Sequence, residues 1–148
     1  MDCIELKLSP TLQQTSLATL AAASIARAYY TVIKGTPCPP ESDFVNAVEL
    51  AVGEACTNCV KHRHRENGRL DSIRVCFELE ENQMVVKVQD QNPSFDFENT
   101  PVPDLEEIPE SGYGIQIMKK TMDEVKYRYE NGWNIIILKK SLSEEETK

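Results

Sequence analysis

Nothing in this 148-residue chain is apolar for long enough to span a bilayer, because a membrane helix needs about 20 such residues. No secretory leader pattern opens it, so a cytoplasmic setting is expected. Basic residues are in deficit: 16 Lys and Arg stand against 24 Asp and Glu, for a formal net charge of −8. Nucleic acids and anionic membranes recruit proteins through positive surface, so neither is expected as a direct partner. The local exception is the run Lys61-His62-Arg63-His64-Arg65, which holds both histidines of the chain. No phosphoacceptor histidine context exists outside it, which weakens a phosphotransfer reading. Glycine is also sparse, with six residues. No Gly-Lys-Ser/Thr occurs, so there is no Walker loop, and no strand runs straight into a six-residue glycine motif of the dinucleotide type. Internal repeats are absent.

The five cysteines, Cys3, Cys38, Cys56, Cys59 and Cys76, form an odd set. Most sit inside apolar patterns, so small buried thiols in a reducing compartment are expected. Cys56-x-x-Cys59-x-x-His62-x-His64 has the look of a zinc spacing. One straight helix would fan those side chains along its length, and they could not converge on a tetrahedral ion.

What remains is an ordinary globular composition, 41% hydrophobic and 27% charged, sized for a single domain over residues 1–148. Cys3 to Leu8 alternates as a half-buried strand. A helix is expected from about Ser16, its N-cap, to Ile33. Gly35 to Pro40 is a loop, and Ser42 or Asp43 caps a second helix running to about His64. Ile73 to Phe77 and Met84 to Val88 alternate as strands around a turn at Glu81-Asn82. Residues 90–111 carry four prolines and many acids, and such a long structureless stretch is often a lid or binding loop. Ile115 to Met122 marks a short helix. Glu124 to Tyr129 and Trp133 to Leu138 form a hairpin about Asn131-Gly132, and residues 143–148 are an acidic tail expected to fray. Strand, two helices, hairpin, loop, helix, hairpin is an α+β order, with helices packed on one face of an antiparallel or mixed sheet.

Three polar groupings stand at the ends of these apolar elements. Glu54 and Asn58 lie one turn apart on the second helix, separated by roughly 40° around its axis. Alone they describe an exposed helix edge. Their chemistry also suits a carboxylate base beside a hard oxygen ligand for Mg²⁺. Asp90 follows an apolar strand, as a turn starter or as an acceptor for a ligand amine. Gly112-x-Gly114 opens a helix, where backbone N–H groups can approach phosphate oxygens.

In this order and on these elements, the three groupings resemble the nucleotide-binding motifs of the GHKL superfamily, most closely the anti-sigma factor serine/threonine kinases. Glu54-Ala-Cys-Thr-Asn58-Cys-Val-Lys61-His62 resembles the N box. Val88-Gln-Asp90-Gln-Asn92-Pro-Ser-Phe-Asp96 resembles the first glycine box, and Ser111-Gly112-Tyr113-Gly114-Ile115 the second. The resemblance covers nearly the whole chain. It implies a Bergerat fold, a two-layer sandwich with a mixed, mostly antiparallel sheet. It implies ATP and Mg²⁺, with Glu54 as general base and Asn58 as metal ligand. Asp90 would read the adenine amine, and Asn92, Gly112, Tyr113, Gly114 and Ile115 would contact the nucleotide. Lys61 and His62 would lie near a phosphate or at the surface, and residues 98–111 would form the ATP lid. It further implies a homodimer that phosphorylates a serine on a STAS-domain anti-anti-sigma protein and binds a sigma factor or other regulatory target. The chain departs from the pattern at Asn92, where glycine is usual, and at Trp133-Asn134, where a threonine often follows the glycine. Thr19 lies near where some members carry an arginine, and the nearest one here is Arg27. These departures, with the acidic loop, favour the alternative of a non-catalytic interaction module on the same fold.

Overall fold

A computed structural model describes residues 2–61, 72–93, 97 and 113–142. His62, Gly112, the lid at residues 98–111 and the tail at 143–148 lie outside the described residues. The order of elements is β1 (Asp2–Leu8), α1 (Leu12–Lys34), α2 (Asp43–Lys61), β2 (Ile73–Leu79), β3 (Gln83–Asp90), α3 (Gly114–Thr121), β4 (Glu124–Glu130) and β5 (Trp133–Ser141).

The first helix begins a turn earlier than its sequence suggests. Thr11, not Ser16, is the N-cap, and its hydroxyl accepts the Gln14 N–H at 3.2 Å. Pro10 precedes the cap, outside the helix, so it does not interrupt the ladder. The Ser16 hydroxyl instead donates back to the Leu12 carbonyl inside the first turn. Gly35 closes the helix at φ 73°, a left-handed cap that a glycine adopts without strain. Ser42 starts α2: its hydroxyl accepts the Val45 N–H at 3.3 Å.

The strands form one sheet of order β1-β2-β3-β5-β4, and every described ladder is antiparallel. Register sends Val75, Phe77, Val86, Val88, Ile136 and Leu138 toward the helices, where they are buried with Ala22, Ala26, Val48, Ala51, Val52 and Ala55. The alanines let α1 and α2 lie close to the sheet, and each large apolar side chain buried there contributes roughly 1.5–3 kcal/mol. The Tyr29 hydroxyl donates to the Glu80 carbonyl at 2.5 Å and ties α1 to the β2–β3 turn.

The other sheet face looks outward. Lys87 pairs with Glu78 and Lys139 with Glu124, and their aliphatic stems screen Val85 and Ile137. Arg74 lies over the Trp133 ring at 4.7 Å. Cys3 and Cys76 also project from this face and are disulfide-bonded between β1 and β2, Cα–Cα 6.5 Å. The expectation of small buried thiols is corrected for these two. Period-two alternation puts Ile4 and Phe77 inward, which sends their neighbours Cys3 and Cys76 outward. Cys56 and Cys59 are free and buried. The β4–β5 hairpin turn at Asn131 (φ 52°) and Gly132 (φ 82°) is left-handed at both centres, as a two-residue hairpin requires.

Candidate active site

The site lies where the edge of α2 meets the start of α3 and the ends of β3 and β5. The 3.6-residue repeat puts Glu54 and Asn58 on one edge of α2, half-buried, while Ala55 and Cys59 turn into the core. Gly114 opens α3 directly against this edge. A β-carbon placed on it would stand 2.8 Å from Glu54 Oε2 and 3.5 Å from Asn58 Oδ1. Absence of a side chain at Gly114 therefore lets α3 approach the two polar groups. Its neighbour Tyr113 is half-buried at the helix start, and Ile115 is buried beneath it. Lys61 ends α2 and is exposed, on the side of a basic last turn.

A groove of about 650 Å³ runs between α1 and α2 and opens onto Glu54. Thr15, Ser16, Thr19 and Thr57 give it hydroxyls, and Leu12 and Leu50 give it apolar rims. Thr19 packs on Gly53, where an added β-carbon would meet its hydroxyl at 3.3 Å. Arg27 does not reach this region: its guanidinium donates to the Pro39 carbonyl at 3.1 Å and holds the α1–α2 loop.

Asp90 is the last residue of β3 and opens the turn that follows, and it is 7% exposed. Its Oδ1 accepts the Asn92 N–H at 2.8 Å and the Asn134 side-chain amide at 2.9 Å. Turn starter and buried acceptor are thus the same carboxylate. Asn92, at a position where the family pattern has glycine, is not in a left-handed conformation. It is buried, and its amide donates to the Cys59 carbonyl at 3.0 Å, linking the end of β3 to α2. Trp133 points to the outer face, while Asn134 takes the inward position opposite Asp90. Tyr127 donates its hydroxyl to Asn134 Oδ1 and stacks on Phe97 with ring centroids 5.5 Å apart. Tyr127 carries no signal in the sequence, and neither the departure at Asn134 nor the N-box position of Cys59 reveals that both lie beside Asp90. The directly paired register of Asp90 with Asn134 is a long-range fact, and no local pattern encodes it.

Burial first, and the adjacent Asp90 carboxylate second, push the Cys59 thiol well above its ordinary range. Burial alone pushes Cys56 up to about 12. In both, burial disfavours the thiolate form.

The donor set fits a metal–nucleotide complex. Asn58 Oδ1 and the Glu54 carboxylate are hard oxygens facing the cradle left by Gly114. Replacing Gly114 with alanine separates function from stability. The colliding atom is the tip of a flexible carboxylate, so the fold adjusts and the midpoint of thermal unfolding should stay within about 3 °C of wild type. The displaced Glu54 should cost about 10-fold to 100-fold in turnover. Unchanged turnover together with an unchanged melting midpoint would show that the close approach carries no function.

Fold and edge site together define a histidine kinase-like ATPase domain, and residues 10–140 match the model of that family. Among curated proteins, the chain is 32% identical to the serine-protein kinase RsbW of Staphylococcus epidermidis, over 93% of its own length and 86% of that protein. It is 29% identical to RsbW of Bacillus velezensis, over 94% of this chain and 86% of that one. The chain belongs to the histidine kinase-like ATPase family, in its RsbW serine-protein kinase branch. Its fold is shared with the crystal structure of the RsbU and RsbW domains of Rv1364c from Mycobacterium tuberculosis. That likeness has a TM-score of 0.62 and 14% identity, over 97% of this chain and 34% of that one. Among the described residues, no helix is long and apolar enough to cross a membrane.

Proposed function

We propose that the protein uses ATP to phosphorylate a serine on a STAS-domain antagonist, within a partner-switching circuit that frees or captures a sigma factor or another regulatory target. The observation that carries this reading is the close approach of Gly114 to both Glu54 and Asn58, with Glu54 also lining the groove between α1 and α2.

Asp90 accepts the adenine amine at the base end, supported by its buried acceptor position. Gly114 and the first turn of α3 face the phosphates, since a helix N-terminus carries unpaired N–H groups and a partial positive charge. Glu54 takes the proton from the acceptor hydroxyl as its oxygen bonds to the γ-phosphorus, and the bond from that phosphorus to the ADP oxygen breaks. Asn58 would hold Mg²⁺, which when bound neutralises charge on the phosphate oxygens. Phosphoryl transfer asks for positioning and charge neutralisation more than for covalent work by the protein, and these residues suit that demand. Gly112, His62 and the lid would complete the nucleotide contacts, Lys61 would lie near the phosphates or stay in solvent, and a homodimer would be the working unit.

The non-catalytic alternative rested on Asn92, Trp133 and the acidic loop. Asn92 has a buried structural task, and Trp133 turns away from the site, so those two departures no longer weigh for it. The test is incubation of the chain with labelled ATP, Mg²⁺ and a cognate STAS-domain protein. Label on a serine of that protein supports the kinase. Tight ATP binding without transfer to any such partner would favour the module.

A further inference from the structure

Asp90 does not stand alone at the base end of the site. The Asn134 amide donates to Asp90 Oδ1 at 2.9 Å, to the Asn92 carbonyl at 2.6 Å and to the Pro93 carbonyl at 3.4 Å. Its own Oδ1 accepts the Tyr127 hydroxyl. Asn134 is 1% exposed, so these groups are its surroundings. Only one orientation of the carboxamide works. Turned over, its oxygen would face a carboxylate and two carbonyls, acceptor against acceptor at every contact. The orientation is therefore built into the fold, with β5 supplying Asn134 and β4 supplying Tyr127.

We infer that Asn134 is a positioning residue for base selection: it locks the Asp90 carboxylate as a fixed acceptor, so that a 6-amino purine is accepted and a 6-oxo purine refused. This rests on the reading of Asp90 as the base contact. The physical ground is that an ionised carboxylate can only accept, and a buried site built to accept a hydrogen bond penalises a ligand that presents another acceptor. A carboxylate free to rotate or to pick up a proton would discriminate less. The chain places an amide where its family often has a hydroxyl. An amide offers two N–H groups and can tie the carboxylate and the following turn together, which one hydroxyl proton cannot do.

The decisive variant is Asn134→Asp, which keeps the shape and removes the donor. At about pH 8 two facing carboxylates repel, so the ATP Kd should rise about 10-fold or more, and the ratio of GTP Kd to ATP Kd should fall. Lowering the pH toward about 6 should restore ATP affinity, because one proton shared between the carboxyls replaces the lost donor. A purely structural role for Asn134 would move the melting temperature but neither the base ratio nor this pH profile. Tyr127→Phe is the second arm and removes only the hydroxyl that orients Asn134. It should shift ATP Kd and base ratio the same way, by about 2-fold to 5-fold, and it decides the matter if Asn134→Asp does not fold. Wild-type ATP affinity and base ratio in every folded variant would overturn the inference. Failure of the wild-type chain to bind ATP at all would overturn the nucleotide reading beneath it.

Discussion

Glu54→Gln should reduce phosphoryl transfer to a STAS-domain serine by about 10²-fold to 10⁴-fold, the usual worth of a positioned general base, while ATP still binds. Glutamine keeps the length and planarity of the side chain, so the groove between α1 and α2 and the contact with Gly114 keep their shape. What is lost is the ability to accept the hydroxyl proton. Each decade corresponds to about 1.4 kcal/mol of barrier, so the loss amounts to about 2.8–5.6 kcal/mol. Single-turnover transfer and ATP binding, measured on the same preparation, check it. Equal transfer rates in wild type and variant would remove Glu54 from the chemistry and leave the groove as packing.

Asn58→Ala should act one step earlier. The carboxamide faces the Gly114 cradle from the same helix edge, with its Oδ1 3.5 Å from where a β-carbon would sit. Removing it should weaken Mg²⁺-dependent ATP binding on the order of 10²-fold, as loss of a hard oxygen ligand beside phosphate predicts. Titrations with Mg²⁺ and with a chelator distinguish the cause. In wild type the two curves should separate widely, and in the variant they should nearly coincide. Should the variant keep the full response to Mg²⁺, the metal is held elsewhere. The core should tolerate the change, because Asn58 is only half-buried and the apolar stripe of α2 is untouched.

Both variants act on the same edge of α2. Its inward face holds Val48, Val52, Ala55 and Cys59 against the sheet, and its edge holds the polar pair. That division is readable in the chain because helical periodicity is local: three or four residues of spacing decide which side chains share a face. For the same reason the order of elements and the inward sets on β2 and β3 follow from alternation alone. The start of α1 lies one turn before the one that Ser16 predicts, because two hydroxyl residues, Thr11 and Ser16, compete as caps and only the backbone decides between them.

The sequence by itself determined an α+β chain, a central helix with Glu54 and Asn58 on one edge, and a glycine opening the third helix. Tertiary structure decided what meets what. The order β1-β2-β3-β5-β4 makes β5, not β4, the neighbour of β3. That choice sets Asn134 opposite Asp90 and puts Trp133 outside, while the β1–β2 pairing brings Cys3 to Cys76. It also brings α3 against α2, so that Gly114 fits where any side chain would strike Glu54. The reason is physical. Periodicity sorts residues onto faces within an element, but contacts between elements depend on register and packing distance, which are settled only when the buried surfaces close together.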